Sequence, residues 1–365
     1  MADLFLSNLT LSHFRSHLRS AIAVDARPVA IHGNNGAGKT NILEAISLLS
    51  PGRGLRRASA QDMTRRPEAL GWKVNALING PNGVAEIDIT SEQGVARQVR
   101  IDGKPVAQTA LSRIVRVLWL IPSMDRLWIE GADGRRRFLD RVTLSFLPDH
   151  ADISLSYEKA MRERNRLLKD MVREPSWYAA LEARLAETGI AIHHNRLRAL
   201  QALTVAQEMT ATAFPVATLA LECDMPDNVE AMRVALSDNR IRDMSAGRTL
   251  IGPHRADLIG SYAEKGIPAR DCSTGEQKAL LVSLILANAR AVAADFGAPP
   301  LLLLDEIAAH LDAYRRAALY DEISALGAQA WMTGTESGLF EAMDARAQSL
   351  TVTEVSGVSS VLSAH

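Results

Sequence analysis

Only two cysteines occur in the 365 residues, Cys223 and Cys272, and they form no CxxC pair. A disulfide framework and a zinc site are therefore excluded as organising devices. Aromatic residues make up 5 % of the chain and do not interleave with its arginines, which disfavours a stacking platform for single-stranded bases. No uninterrupted apolar run reaches the ~18 residues of a membrane span. Even "LLVSLILANARAVAA" is broken by Asn288 and Arg290. The opening "MADLFLSNLTLSHFRSH" lacks a basic leader before an apolar stretch, so a signal peptide is not expected. A cytoplasmic protein without a membrane partner is the expectation. Internal repeats, low-complexity segments and the hundreds of heptad residues of a long coiled coil are absent as well.

What is present is a globular composition, 47 % apolar and 23 % charged, with length for one large domain or two ordinary ones. Net charge is −1, but the distribution is uneven. Between Pro51 and Arg141 sixteen Lys and Arg face ten Asp and Glu, a local +6 that leaves −7 for the remainder. A polyanion site on this chain is then a local surface, not a global field.

Along the chain, Leu4, Leu6, Leu9 and Leu11 read as a half-buried strand ending at "FRSH". "RPVAIHG" is a short apolar strand entering a glycine loop, and "TNILEAISLLS" after it has helical spacing. From Trp72 to Arg116, short alternating runs broken by "NGPNG", "EQG" and "DGK" predict an antiparallel meander. "VRVLWLIP" follows as a buried strand. From about Ser154 to Arg242 the texture is helical: Tyr157, Met161, Leu168 and Met171 fall on one rhythm. Tyr178, Leu181, Leu185, Ile192 and Leu200 fall on another, interrupted near Gly189 and separated from the first by Pro175. After Gly247 the α/β texture returns, with a last strand at "AQAWMTG". The expected division is a nucleotide core from 1–150 and 246–365, with a helical arm lobe at 151–245.

The glycine loop "GNNGAGKT", Gly33 to Thr40, fits GxxxxGK(S/T) between a strand and a helix, as phosphate binding requires. Consecutive backbone N–H groups from Gly33, Asn34, Asn35, Gly36, Ala37 and Gly38 can turn onto phosphate oxygens, and the helix N-terminus adds partial positive charge. Lys39 can reach the β- and γ-phosphates, the Thr40 hydroxyl can hold Mg²⁺, and Asn41 follows in the first turn. "LLLLDEIAAHLD" supplies a buried strand ending in Asp305, placed to hold the metal's shell, and Glu306, placed as the base for an attacking water. ATP with Mg²⁺ is the expected ligand.

A second glycine turn, "STGEQKALLVSLILA", opens at Ser273. It resembles the signature motif of ABC-type ATPases, in which Ser273, Thr274, Gly275 and Glu276 would cap the γ-phosphate bound to a second subunit. The same residues also make a local helix cap, and the two roles use the same N–H groups. "AAHLD" resembles the D-loop of that superfamily, which implies that Asp312 reaches a dimer interface. Two features depart from it: the glutamine expected after "VRVLWL" is absent, and "MTGTE", with Thr333 and Thr335, stands where a switch histidine is expected. Both departures point to slow turnover.

Taken together, the order of these motifs resembles the RecF family of bacterial recombinational-repair ATPases, and the resemblance covers essentially the whole chain. "LTLSHFRSH", "GNNGAGKTNILEAISLLSPGRGLR", "GADGRRRFLDR", "IGPHRADL" and "LLLLDEIAAHLDAYRRAAL" carry it. It implies an α/β fold, an ABC/SMC-type P-loop NTPase head with an antiparallel β subdomain and an inserted helical arm lobe. It also implies an ATP-dependent homodimer that binds DNA, duplex or gapped, and works with RecR and RecO in loading RecA. Arg136, Arg137 and Asp140 carry over from the family's basic block. Arg53, Arg56, Arg57, Arg65, Arg66 and Arg135 to Arg137 are the candidate phosphate contacts, each equally compatible with a solvated surface arginine. An ATP-gated clamp of another SMC-like type, and a transporter ATPase subunit, are the rival readings.

Overall fold

The four leucines Leu301–Leu304 form a strand buried on both faces, as the centre of a parallel sheet demands. In the computed structural model, which describes residues 4–66, 68–92 and 95–363 with the side chain of His310 excepted, that strand lies between Val117–Leu120 and Ala330–Gly334. The sheet continues through Val29–His32 and Gln348–Val355, all parallel, to an antiparallel edge strand Val358–Ser363. The register pairs Leu304 with Met332 and Gly334 with His32, so three strands end side by side at their carboxyl edge. That edge is where ligands of open α/β sheets bind.

A second, antiparallel sheet runs His17–Ala23, Phe5–Phe14, Trp72–Gly80, Gly83–Ser91, Gln98–Ile101, Lys104–Val106. The buried leucines of its long strand slip phase between Leu6 and Leu9, and a bulge between Leu6 and Asn8 restores the inward face. The "DGK" turn is tight, with Asp102 at φ 50° and Gly103 at φ 75°, joining Ile101 to Lys104. Gln93 and Gly94 of the "EQG" signal lie outside the described residues. Both sheets share one core with the phosphate-loop helix Lys39–Ser47, from Leu6 and Phe14 through Ile42 and Ile46 to Leu303 and Trp331.

The helix Thr274–Phe296 carries the apolar run that Asn288 and Arg290 interrupt. Its mean hydropathy reaches 1.6, long and apolar enough by composition to cross a membrane, yet 72 % of that window is buried inside the protein. It is the core helix of the sheet, and Asn288 at its middle is itself buried.

The chain forms two compact units, and their boundaries differ from the expected ones. The first comprises 1–125, 206–216 and 273–365; the second comprises 126–205 and 217–272. The lobe is larger than 151–245 because Ala217–Glu222 is a strand, missed in the helical reading, that pairs along its length with Asp257–Tyr262. The helix Ala132–Phe146 joins them through Arg135, which grips Asp257 at 2.7 and 2.8 Å. "IGPHRADL" therefore belongs to the lobe. Nor does the arm break at Gly189: the helix Ser176–Glu208 runs straight through it. A Cβ there would stand 3.3 Å from the Tyr157 ring and 3.4 Å from Pro253, so the glycine serves close packing. Within the lobe, the fully buried Arg164 is matched by Glu182 at 3.2 Å and Asp243 at 2.7 Å. The chain also continues past "AQAWMTG" into the hairpin Gln348–Val355 and Val358–Ser363.

Candidate nucleotide site

The phosphate loop bends through backbone conformations that favour glycine. Gly33, Gly36 and Gly38 have φ of 150°, 83° and 108°. At Gly33 a Cβ would lie 2.1 Å from the Val352 carbonyl oxygen, and at Gly38 2.4 Å from Ser359 Oγ. A Cβ at Gly36 would meet nothing within 4 Å, so the loop has open space on that side. Lys39 is buried and folds back, donating to the carbonyl oxygens of Gly33 at 2.6 Å and Asn34 at 2.9 Å. Burial lowers its pKa, against the opposing pull of Glu306 and Asp305.

The loop is braced by residues that no motif announces. The His17 ring donates from Nε2 to the Gly38 carbonyl at 3.2 Å, and its Nδ1 lies 2.9 Å from the Ser20 hydroxyl. Burial, offset by the Gly38 bond and reinforced by Arg65, lowers its pKa. Ser359 donates to the Ala37 carbonyl at 2.6 Å and accepts from the Ser16 hydroxyl at 2.6 Å, and Asn41 donates to Ser16 at 2.8 Å. So the "FRSH" turn and the C-terminal hairpin clamp the loop from two sides. Glu44 was the visible signal, an acid inside an apolar helix. It is fully buried and held by Arg15 at 2.7 Å and Arg56 at 3.1 Å.

At the adjacent strand end, Asp305 Oδ1 accepts two hydroxyl protons, from Thr40 at 2.9 Å and from Thr333 at 2.7 Å. Glu306 follows with φ 55°, a left-handed conformation uncommon for a residue with a side chain, and its N–H donates to Thr333 Oγ1 at 2.9 Å. Lys39, Thr40, Asp305, Glu306 and Thr333 thus meet at one sheet edge. A side chain after Thr333 would crowd its neighbours: a Cβ at Gly334 would lie 2.9 Å from the Leu339 side chain and 3.0 Å from the Phe340 ring.

The second glycine turn is a closed capping box. Ser273 Oγ accepts from the Glu276 N–H at 3.3 Å, and the Glu276 carboxylate accepts from the Ser273 N–H at 2.8 Å. Thr274 is exposed, and a Cβ on Gly275 would meet nothing within 4 Å. Asp312 caps the helix Ala313–Leu326, accepting from Arg315 N–H at 2.8 Å.

Among the arginines the structure separates two groups. Arg65 is buried and donates to the carbonyls of Ser16 at 3.0 Å and Gly357 at 2.6 Å, which removes it from the candidate surface. Arg135 is bound to Asp257, Arg136 donates to the Ala256 carbonyl at 2.8 Å, and Arg137 pairs with Asp133. Asp140 is half-buried and gripped by Arg196 at 2.8 and 3.0 Å. Burial works to raise its pKa, but Arg196 and His150 outweigh that and hold it at about 2. Arg56 is half committed, to Asn41 at 2.8 Å and to Glu44. Arg53, Arg57 and Arg66 are exposed, and no hydrogen bond or ion pair engages their side chains among the described residues.

A family model described as RecF/RecN/SMC N terminal domain matches residues 5–359. The chain is 48 % identical over 364 residues to the DNA replication and repair protein RecF of Rhizobium etli, covering 96 % of this chain and 97 % of that one. The chain belongs to the RecF family. The RecF protein of Agrobacterium fabrum is also 48 % identical, over 94 % of this chain and 95 % of its own. These relatives are DNA replication and repair proteins, and this chain is one by family. A solved structure of the recombination mediator protein RecF with ATP superposes with TM-score 0.84 at 21 % identity, covering 99 % of this chain and 98 % of that one. The Smc head domain of Pyrococcus furiosus follows at TM-score 0.55 and 19 % identity, with 99 % and 96 % covered. At those identities the likeness shows the fold: an ABC/SMC-type head.

Proposed function

We propose that this chain is a cytoplasmic, ATP-gated DNA-binding protein of recombinational repair that hydrolyses ATP slowly. One observation carries the reading: the phosphate loop with Lys39, and the carboxylates Asp305 and Glu306, share one sheet edge, with Thr40 bonded to Asp305 at 2.9 Å. The open side of the loop fits a polyphosphate, and Lys39 leaves its carbonyl partners to meet it. The Thr40 hydroxyl and the Asp305 carboxylate are hard oxygen donors of the kind Mg²⁺ takes, and such an ion would offset charge on the terminal phosphates. Glu306 then orients the attacking water and accepts its proton.

The turn at Ser273 to Glu276 serves a second subunit's nucleotide, so ATP brings two heads together, with Asp312 at the interface. For this the Glu276 carboxylate must leave the Ser273 N–H, because it now occupies the place of an incoming anion. DNA binds by its phosphates to the exposed arginines Arg53 and Arg57, and ATP controls that contact. The solved relative is named a recombination mediator of the RecFOR pathway, which supports partnership with RecR and RecO; delivery of RecA at gaps belongs to the same proposal. The transporter reading lacks both its glutamine and its switch histidine.

The test is sedimentation with and without ATP and gapped duplex. Wild-type protein dimerises on ATP, and Lys39→Ala, which removes the cation facing the terminal phosphates, neither binds ATP nor dimerises. Wild-type nucleotide affinity in Lys39→Ala would refute the phosphate-loop assignment.

A further inference from the structure

We infer that Thr333 is the positioning residue for Glu306, standing in function where a switch histidine is missing; this rests on the ATPase reading above. Thr333 is buried at the carboxyl end of Ala330–Gly334, the strand between the one that leads into the phosphate loop and the one that carries Asp305. Its hydroxyl has one proton and can accept as well as donate. It accepts the Glu306 N–H at 2.9 Å, so its own proton goes to Asp305 Oδ1 at 2.7 Å. Thr40 donates to that same oxygen at 2.9 Å. The hydroxyl therefore joins three things: the strand end, the backbone of the base, and the carboxylate beside the loop threonine.

The backbone at Glu306 shows what the bond does. At φ 55° a residue with a side chain needs surrounding structure to hold it, and its amide bond to Thr333 is the hydrogen bond that does so at this residue. That conformation sets the direction in which the Glu306 carboxylate leaves the strand. Without it Glu306 relaxes toward a common conformation and its carboxylate swings off the line of attack. Thr335, the other threonine of the segment, is exposed and has no such bond among the described residues.

Thr333→Val keeps the shape and removes both bonds, whereas Thr333→Ser keeps the hydroxyl. With ATP affinity measured by calorimetry, Thr333→Val binds within about threefold of wild type and still dimerises, while its hydrolysis falls about 10- to 100-fold, as for a small misplacement of a reacting group. Its ATP-bound dimer persists correspondingly longer after dilution. In nucleotide-free protein, amide exchange at Glu306 quickens in the valine variant and returns to the wild-type rate in the serine variant. Thr333→Ser also restores turnover. Wild-type hydrolysis or unchanged Glu306 exchange in Thr333→Val overturns the inference, as does a serine variant as impaired as the valine one. If Thr333→Val fails to fold, wild-type turnover and exchange in Thr333→Ser support the inference, and slow turnover there overturns it. Failure of the wild-type protein to bind ATP would instead remove the ATPase reading itself.

Discussion

At the scale of single residues, the site separates binding from turnover. In the proposed reading Lys39 and the loop amides hold phosphate, and Glu306 takes a proton from water. Glu306→Gln keeps the backbone bond to Thr333 and removes the base, so it binds ATP, accumulates as a dimer and hydrolyses about 10²–10⁴ times more slowly. A variant that stays monomeric at saturating ATP in sedimentation would contradict the sandwich; undiminished hydrolysis would take Glu306 out of the reaction. His17 makes a second prediction. It is buried and neutral beneath Gly38, and its folded pKa lies below the ordinary 6.5. Below about pH 6.5 the unfolded chain takes up a proton that the folded chain refuses, so stability falls with acid until the folded pKa is passed. His17→Gln removes that titration and flattens the fall by at most one proton, about 1.4 kcal/mol per pH unit. Denaturant unfolding of both proteins between pH 7.5 and 5 measures the difference, and parallel curves would show that His17 does not titrate on unfolding.

At the scale of elements, the turn at Ser273 is the sharpest case of two roles in one place. Ser273→Arg removes the cap and puts a bulky cation where a partner's phosphate would arrive, whereas Ser273→Ala removes only the cap, at about 1 kcal/mol. The arginine variant should bind ATP as a monomer and fail to dimerise, while the alanine variant dimerises; loss of ATP binding in the arginine monomer would mean the turn serves its own nucleotide or the fold. This turn, the phosphate loop and the acidic strand were legible in the sequence because each is local: a few residues whose spacing encodes the shape. What was not legible depends on partners far away in the chain. Ala217–Glu222 is a strand because Asp257–Tyr262 pairs with it, and Gln348–Val355 lies beside Val29–His32 across some three hundred residues. The arginines at 135–137 looked like one surface for phosphate, but Asp257 and the Ala256 carbonyl claim Arg135 and Arg136 and leave only Arg137 exposed. Composition counts charges and cannot see such pairing. Thr333 is visible as a letter, and only the parallel register beside Asp305 gives it a role.

At the scale of the whole molecule, the local +6 between Pro51 and Arg141 has to be redistributed before it predicts anything. Arg65, Arg135 and Arg136 are committed to the fold, Arg137 stands exposed beside Asp133, and Arg56 is tied to the phosphate-loop helix through Asn41 and the buried Glu44. Reversing Arg56 to Glu would therefore set a carboxylate against Glu44 and disturb the nucleotide site, confounding any DNA measurement. Arg53 and Arg57 are free of such ties among the described residues and can meet a duplex backbone. If ATP joins two heads, two such surfaces act on one duplex, and the number of phosphates neutralised rises. Each one contributes about −0.9 to the slope of log K against log salt. ATP should therefore tighten duplex binding and steepen its salt dependence together. Arg53→Glu with Arg57→Glu should flatten the slope by one or more such steps and leave ATP-driven dimerisation untouched. Salt titrations of duplex binding by fluorescence anisotropy, with ATP and without nucleotide, measure both quantities. Equal slope and equal affinity in the two states would mean that joining the heads does not assemble the DNA surface, and the gating would have to reside in a contact other than these arginines.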